Sequence, residues 1–104
     1  MKEFIALIVA EVVEVSRNIH LHKLEEANAH AWKAVYLASA LEFDIYPELK
    51  EKIMPLRRAV EKLTKAPEKG LQVFRKDWFE IYDLHNKAHS EVMVEIRKLL
   101  KGEG

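Results

Sequence analysis

The 104-residue sequence contains no cysteine. This absence excludes disulfide frameworks, thiolate zinc sites and cysteine nucleophiles together. Glycine and proline are also scarce, with three residues of each, which is too few for a β-sandwich that turns about every ten residues. The sequence also has no excess of either charge, because 17 basic side chains balance 17 acidic ones. A globally basic nucleic-acid-binding protein is therefore not expected.

What the sequence does contain is a large share of apolar residues. The hydrophobic fraction is 49%, which is too high for an intrinsically disordered chain. A chain of this length supports one core, so residues 1–104 are predicted to form a single domain. The acidic residues comprise 14 Glu and only 3 Asp, and Asn and Gln together number four. That pattern is typical of proteins from hot environments and predicts a thermophilic source.

An apolar run at residues 4–10 is a candidate targeting segment. Lys2 is followed at once by Glu3, and Glu11 arrives without a small-residue cleavage site, so a signal peptide is not expected. The run is also much shorter than the roughly 20 apolar residues of a transmembrane helix. We therefore expect a cytoplasmic, soluble protein with no membrane partner.

Apolar residues recur with helical spacing along nearly the whole sequence, and no stretch alternates with the period of two that is typical of strands. The first predicted helix covers about residues 2–18, and its apolar side chains fill an arc of roughly 200°. These side chains are Phe4, Ile5, Ile8, Val9, Val12, Val13 and Val15. One neighbouring helix cannot cover so wide a face. The helix is therefore either central in the fold or partly covered by a second copy of the chain.

The second predicted helix, about residues 23–43, carries two apolar stripes. One consists of alanines, which let a neighbouring helix approach closely: Ala27, Ala31, Ala34 and Ala38. The other is aromatic and lies on the opposite side: Trp32, Tyr36 and Phe43. Two apolar faces on one helix again suggest more burial than a small isolated bundle provides.

The third predicted helix starts at Pro47, a residue that suits the first turn because its missing N–H costs nothing there. Its apolar stripe is Leu49, Ile53, Leu56, Val60 and Leu63. Pro55 lies within this stripe and is expected to kink or split the helix near residues 53–54.

Residues 66–70 have breakers at both ends and are predicted to form a loop. The fourth predicted helix follows over about residues 71–101, and Gly102 ends it. Its buried stripe is Leu71, Phe74, Trp78, Ile81, Val92, Ile96 and Leu99. Four helices with short connections predict an all-α, antiparallel four-helix bundle.

Histidines are the first candidate for chemistry. His85 and His89 stand four residues apart on one helix face, and His30 lies toward the alanine stripe. Three converging imidazoles would bind zinc or iron, although the Glu-x-x-His motifs of di-iron bundles are missing. Alternatively, His85 and His89 are buried or groove-lining side chains with hydrogen-bond partners, beside Trp78 and Tyr82. We expect this second arrangement, with no metal and no other cofactor.

Enzymatic chemistry has little support in the sequence. Ser90 follows His89 directly, but neighbours on a helix point about 100° apart and do not form a nucleophile–base pair. No glycine-rich loop is available to hold a phosphate. The acid pair Glu11 and Glu14 lies on the polar face of its helix. No catalytic residue is predicted.

Basic residues concentrate in the segment 47–76, which has nine basic and four acidic side chains and a net charge of +5. The candidate contacts to a phosphate or to an acidic protein partner are Arg57, Arg58, Lys62 and Lys65. The alternative is an ordinary solvated helix face with Glu–Lys pairs, such as Glu61 with Lys65.

Two stretches resemble a known family. HKLEEANAHAWKAVYLASAL, which includes Ala31-Trp32-Lys33-Ala34, and WFEIYDLHNKAHSEV, which includes Leu84-His85, resemble helices of HEPN-like domains of the archaeal PaREP1 type. The resemblance implies a dimerising bundle of four or five helices, linked in many relatives to RNA cleavage or to nucleotidyltransferase partners. Active HEPN ribonucleases carry Arg and then His with four to six residues between them. Here nine residues separate Arg75 from His85, so the resemblance transfers no catalytic residue.

The leading hypothesis is a non-catalytic helical-bundle interaction module that forms a homodimer. The first alternative is a HEPN-like protein directed to RNA or nucleotides through the basic segment 47–76, and the second is a histidine-based metal-binding bundle.

Overall fold

The computed structural model describes residues 1–72 and 77–103, and these residues form helices and turns without any strand. The helices are α1 (Lys2–His20), α2 (Leu24–Ala40), α3 (Lys50–Lys62), α4 (Lys65–Gln72) and α5 (Trp78–Glu103). A π-helical turn, Leu41–Ile45, and a 3-10 turn, Pro47–Leu49, connect α2 to α3. The prediction of an all-α helical bundle is confirmed.

Helix α1 buries one stripe of aliphatic side chains. The buried positions recur at alternating steps of three and four residues, as the pitch of an α-helix requires: Ile5, Ile8, Val12, Val15 and Ile19. Val13, at the edge of the predicted apolar arc, is exposed, and so is Leu7. The apolar arc of α1 is therefore wider than the part that the bundle covers.

A three-residue turn joins α1 to α2. Its tightest point is His22, which has a left-handed backbone (φ 58°) that non-glycine residues seldom adopt. The amide of Lys23 then donates to the carbonyl of Asn18 at 2.8 Å, which satisfies one of the last acceptors of α1.

Helix α2 packs through its alanine stripe. All four predicted alanines are fully buried, and their small side chains allow α1 to approach closely. The π-helical turn that follows buries Leu41 and Glu42, and the amide of Tyr46 donates to the carbonyl of Leu41 at 3.0 Å. This longer hydrogen-bonded ring turns Glu42 inward, where it meets α3.

Helix α3 includes Pro55 in its interior and continues to Lys62, so the helix is not divided into two. Pro55 is exposed, and its ring faces away from the buried side chains of α3. Pro47 begins the 3-10 turn that leads into this helix, in agreement with its predicted place in a first turn.

The predicted loop at residues 66–70 is wrong, because these residues belong to α4. Pro67 lies in the first turn, where no backbone N–H is needed, and it therefore does not interrupt the helix. Gly70 is closely packed: a Cβ there would lie 2.5 Å from Cδ1 of Leu24 and 3.1 Å from Cδ1 of Ile81, so the Leu24 side chain would have to shift. Both breakers thus occupy helical positions that tolerate them.

The fourth helix was predicted over residues 71–101, and the predicted start of this helix is also wrong. Residues 71–72 end α4, and a separate helix begins at Trp78, where the carboxylate of Asp77 accepts the amide of Phe79 at 3.1 Å. Phe74 of the predicted stripe lies outside the described residues. Helix α5 runs through Gly102 to Glu103 rather than ending before it.

The four longer helices form a ring in which each packs on two neighbours. Contacts join α1 with α2, α2 with α3, α3 with α5, and α5 with α1, so α2 and α5 lie across the diagonal. The short helix α4 closes one end by packing on α2 and α5. The surfaces discussed below follow from this arrangement, since each pair of neighbouring helices forms one outer edge of the bundle.

Candidate functional site

Four of the five histidines lie along the edge between α1 and α5, which we call the histidine seam. Its members on α5 recur at i, i+4, i+7 and i+11, and its members from α1 and the following turn face them. The histidine seam consists of Ser16, His20, His22, Trp78, Tyr82, His85 and His89. His85 and His89 thus lie on the same face of α5 as Trp78 and Tyr82.

In the buried part of the histidine seam, Ser16 Oγ and His85 Nε2 form a hydrogen bond 2.8 Å long. Ser16 Oγ also lies 3.4 Å from His89 Nδ1. His85 is only 2% exposed, and its Nδ1 has no partner among the described residues. Burial lowers the pKa of His85 to about 4, and repulsion by His89 and His20 adds to the effect. His85 is therefore a neutral imidazole at pH 7.

The exposed part of the histidine seam fixes the turn between α1 and α2. The ring of His22 stacks on Trp78, with 3.7 Å between centroids and 12° between planes. Its Nε2 lies 2.9 Å from the hydroxyl of Tyr82. His20, the last residue of α1, stacks against Tyr82 with 5.5 Å between ring centroids. These contacts hold the left-handed conformation of His22 and attach the turn to the start of α5.

The pair of Ser16 and His85 does not form a nucleophile with its base. A base with a pKa of about 4 is too weak to deprotonate serine near neutral pH. Ser16 also lies inside α1, where the backbone amides are committed to the helix and cannot stabilise an oxyanion. Ser16 was not among the predicted site residues, and Ser90 was the hydroxyl weighed as a nucleophile. The position of Ser16 one turn after Val12, at the margin of the buried stripe, is the signal that could have found it.

His30 lies away from the other histidines. Its Nδ1 is 2.5 Å from a carboxylate oxygen of Glu11, at the edge between α1 and α2. Glu11 and Ser16 are about 140° apart around α1, so the two histidine contacts fall on opposite flanks of that helix. The three imidazoles considered for a metal therefore do not converge. Over residues 1–72 and 77–102, no three His, Asp or Glu side chains are placed to hold a metal ion.

Arg57 is partly buried and forms ion pairs with two carboxylates. Its guanidinium contacts Glu42, which has no exposed surface, and lies 2.6 Å from Glu61. The hydrogen bonds to Glu42 and Glu61 raise the pKa of Arg57 further above its ordinary value. Arg57 thus neutralises a buried charge and connects the π-helical turn to α3.

The other three basic candidates are exposed. Lys62 pairs with Glu91 of α5 at 2.8 Å. Arg58 and Lys65 form no ion pair with any described residue, and Glu61 pairs with Arg57 rather than with Lys65. Of the four candidate phosphate contacts, Arg58 and Lys65 therefore have uncompensated charge in the described part of the chain.

The aromatic stripe of α2 lies on the surface, and we call it the aromatic face. Trp32 is 37% exposed, Tyr36 67% and Phe43 50%. The rings of Trp32 and Tyr36 are 6.2 Å apart and tilted, a favourable aromatic geometry. Lys50 and Arg57 approach the ring of Phe43 at 5.4 and 5.7 Å. The aromatic face is thus a row of large side chains opposite the alanine stripe.

A groove runs along the edge between α3 and α5. It consists of two adjoining cavities of about 590 and 400 Å³, which share Pro55 and Glu95. We call it the α3–α5 groove. None of the helices in the described part of the chain is long and apolar enough to cross a bilayer.

No protein-family model, curated protein or solved structure matches the chain. The resemblance to HEPN-like domains gains no support from these comparisons. The candidate sites therefore stand on their own geometry.

Proposed function

We propose that the protein is a non-catalytic helical-bundle interaction module that forms a homodimer through the aromatic face of α2. The observation that carries the proposal is the exposure of three large aromatic side chains in residues 32–43, namely Trp32, Tyr36 and Phe43. Large aromatic side chains dominate the binding energy of protein interfaces because they bury much area and have few rotamers. Trp32 and Tyr36 lie one turn apart on α2, and Phe43 follows in the π-helical turn after the end of that helix.

The charges around the aromatic face suit contact with a second copy. Between residues 29 and 40, Lys33 is the one Lys, Arg, Asp or Glu side chain. Lys50 and Arg57 lie near the ring of Phe43. A two-fold contact centred on Trp32 and Tyr36 therefore brings few like charges together.

The proposal includes an antiparallel order of neighbouring helices and a kink in α3. Two contacts support the antiparallel order of α1 and α5. Ser16 contacts His85, whereas the later residue His22 contacts the earlier residue Tyr82. The kink is supported by Pro55, which provides no N–H for the carbonyl of Glu51.

Size-exclusion chromatography with light scattering tests the assignment of the aromatic face. Tyr36→Lys is the informative variant, because Tyr36 is the most exposed of the three and its replacement leaves the core intact. We expect this variant to elute as a monomer with an unchanged circular dichroism spectrum. Phe79→Lys is the matched control, because Phe79 is an exposed aromatic residue on α5, and it should remain dimeric. A dimer that tolerates Tyr36→Lys would contradict the assignment.

A second candidate function, directed at RNA or nucleotides through segment 47–76, is favoured by one observation. Arg58 and Lys65 are exposed and form no ion pair with a described residue. Such cations are available to phosphate, and a salt-dependent affinity for RNA would be the result.

A further inference from the structure

The exposed stripe of α2 that carries Trp32 and Tyr36 begins with an acid. Glu25, Trp32 and Tyr36 stand at i, i+7 and i+11, so their side chains leave the helix within about 40° of one another. All three are exposed. The residue between Glu25 and Trp32 on this side of the helix is Ala29. Glu25 forms no ion pair with any described residue, so its charge is available to a second molecule.

The opposite end of the aromatic face is basic. Phe43 is 50% exposed, and Nζ of Lys50, the first residue of α3, lies 5.4 Å from the centre of its ring. Arg57 also approaches this ring, but Glu42 and Glu61 already engage its charge. Lys50 is exposed and has no acidic partner in the described part of the chain. The aromatic face therefore extends from an available acid to an available base.

The spacing of these residues is symmetric about the middle of α2. Trp32 and Tyr36 lie two positions on either side of residue 34, and Glu25 and Phe43 lie nine positions on either side of it. A two-fold axis at this midpoint, with two α2 helices antiparallel, sets Trp32 against Tyr36 of the second copy and Glu25 against Phe43 of the second copy. Nine residues span about 13.5 Å, so a shallow crossing of about 20° keeps both ends within reach of long side chains.

Two ion pairs follow from this register. Because Lys50 lies over Phe43, the carboxylate of Glu25 in one copy approaches the ammonium group of Lys50 in the other, and the two-fold axis repeats this contact at the other end. A parallel pair of helices would instead bring the two Glu25 side chains together and the two Lys50 side chains together, which is unfavourable at both ends. Lys33 lies about 80° from the centre of the stripe, at its margin.

We infer that two copies associate through the aromatic face with their α2 helices antiparallel, and that Glu25 of each copy pairs with Lys50 of the other. Resting on the proposed homodimer, this arrangement adds a direction and a register to it. A different protein would need the same order of acidic, aromatic and basic side chains in reverse. A second copy of this chain presents that order by symmetry.

The dissociation constant of the dimer, measured by sedimentation equilibrium at low salt, tests these ion pairs. Glu25→Lys and Lys50→Glu each replace two attractive contacts per dimer by two repulsive ones, and each should raise the dissociation constant by about tenfold. The double variant restores opposite charges at both ends and should return to within about threefold of the wild type. The differences should disappear at about 1 M salt, because surface charges are then screened.

Glu26→Lys and Lys52→Glu are the matched controls. Each makes the same change in net charge at an exposed position as the variant that it matches. Glu26 lies about 100° from Glu25 around α2, and Lys52 lies about 200° from Lys50 around α3. Neither control should change the dissociation constant by more than about twofold. Equal weakening by Glu25→Lys and Glu26→Lys would be a general effect of charge and would overturn the inference.

The direction of the two helices has an independent test, because the chain contains no cysteine. Ala29→Cys and Ala40→Cys place single thiols five positions before and six positions after residue 34, on the same flank of the stripe. An equimolar mixture treated with a short bismaleimide should yield crosslinked dimers that contain one copy of each variant. Crosslinking of Ala29→Cys mainly to itself would show parallel helices and overturn the inference.

Failure of the register and failure of the dimer itself give different results. If Tyr36→Lys dissociates the dimer but neither Glu25→Lys nor Lys50→Glu weakens it, the aromatic face is the contact and the inferred register is wrong. If the dimer tolerates Tyr36→Lys, or if the wild type is a monomer, the proposed function fails and the register fails with it.

Discussion

The buried imidazole of His85 makes the stability of the protein depend on pH. In the unfolded chain a histidine titrates with a pKa near 6.5. In the folded protein the pKa of His85 is about 4, because the ring is 2% exposed and lies near His89 and His20. Between these two values the unfolded chain binds a proton that the folded protein does not. The free energy of unfolding therefore falls as the pH is lowered through this window.

The magnitude follows from the difference between the two pKa values. A gap of about 2.5 units corresponds to about 3 kcal/mol by pH 4, because each unit is worth about 1.4 kcal/mol. Domains of this size are stable by about 5–15 kcal/mol in total. One histidine thus removes a considerable part of the stability in mild acid, whereas above pH 7 it has no such effect.

Urea unfolding at pH 7, 6, 5 and 4 measures this effect when the wild type is compared with His85→Gln. Glutamine does not titrate, so the wild type should lose about 3 kcal/mol more than the variant between pH 7 and pH 4. Ser16→Ala is the control: it removes the hydrogen bond to His85 and should cost about 1 kcal/mol at pH 7, while the imidazole still titrates with burial. Parallel pH profiles for the wild type and His85→Gln would refute the reasoning.

Four further predictions concern the rest of the molecule. Arg57→Met leaves the carboxylate of Glu42 buried without its partner and should cost about 3–5 kcal/mol in urea unfolding. Pro55→Ala restores a backbone N–H at an exposed helix position and should raise stability by about 2–3 kcal/mol in the same assay. EDTA should leave the melting temperature unchanged, because no three His, Asp or Glu side chains in the described part of the chain are placed to hold a metal ion. An RNA titration at low salt should show no binding that depends on Arg58 and Lys65. The double variant Arg58→Glu, Lys65→Glu should therefore behave like the wild type.

Each of these four predictions would be contradicted by a specific result. Glu61→Gln removes the more exposed partner of Arg57 and should cost less than about 1 kcal/mol of stability. Equal losses of stability in Glu61→Gln and Arg57→Met would contradict a buried ion pair between Arg57 and Glu42. Destabilisation by Pro55→Ala would mean that the proline is compatible with the local helix. A melting temperature that falls with EDTA would favour the metal-binding alternative. RNA binding that weakens steeply with salt would favour the RNA-directed one.

The helices were predictable where periodicity alone determines burial. Ile5, Ile8, Val12 and Val15 follow from their spacing, and the two faces of α2 follow from the separation of alanine and aromatic residues. The exposure of Val13 was not predictable, because an apolar residue at the edge of an arc is buried only if a neighbouring helix reaches it. That depends on the packing of the whole bundle rather than on local pattern.

The error at residues 66–70 has a different physical cause. Proline and glycine interrupt helices only at positions where an N–H is needed or where backbone entropy is not compensated. Pro67 lies in a first turn, and Gly70 is compensated by close contact with Leu24.

The main contacts of the histidine seam and of Arg57 could not be predicted in the same way. Ser16 and His85 are separated by 69 positions, and Glu42 reaches Arg57 only because a π-helical turn rotates it inward. No local spacing encodes either contact.

Sedimentation equilibrium of the wild-type protein at micromolar concentration tests the central claim most directly. The account predicts a mass about twice the 12.1 kDa of the chain, and a mass equal to one chain for Tyr36→Lys under the same conditions. A wild-type protein that sediments as a single chain would contradict the proposed homodimer.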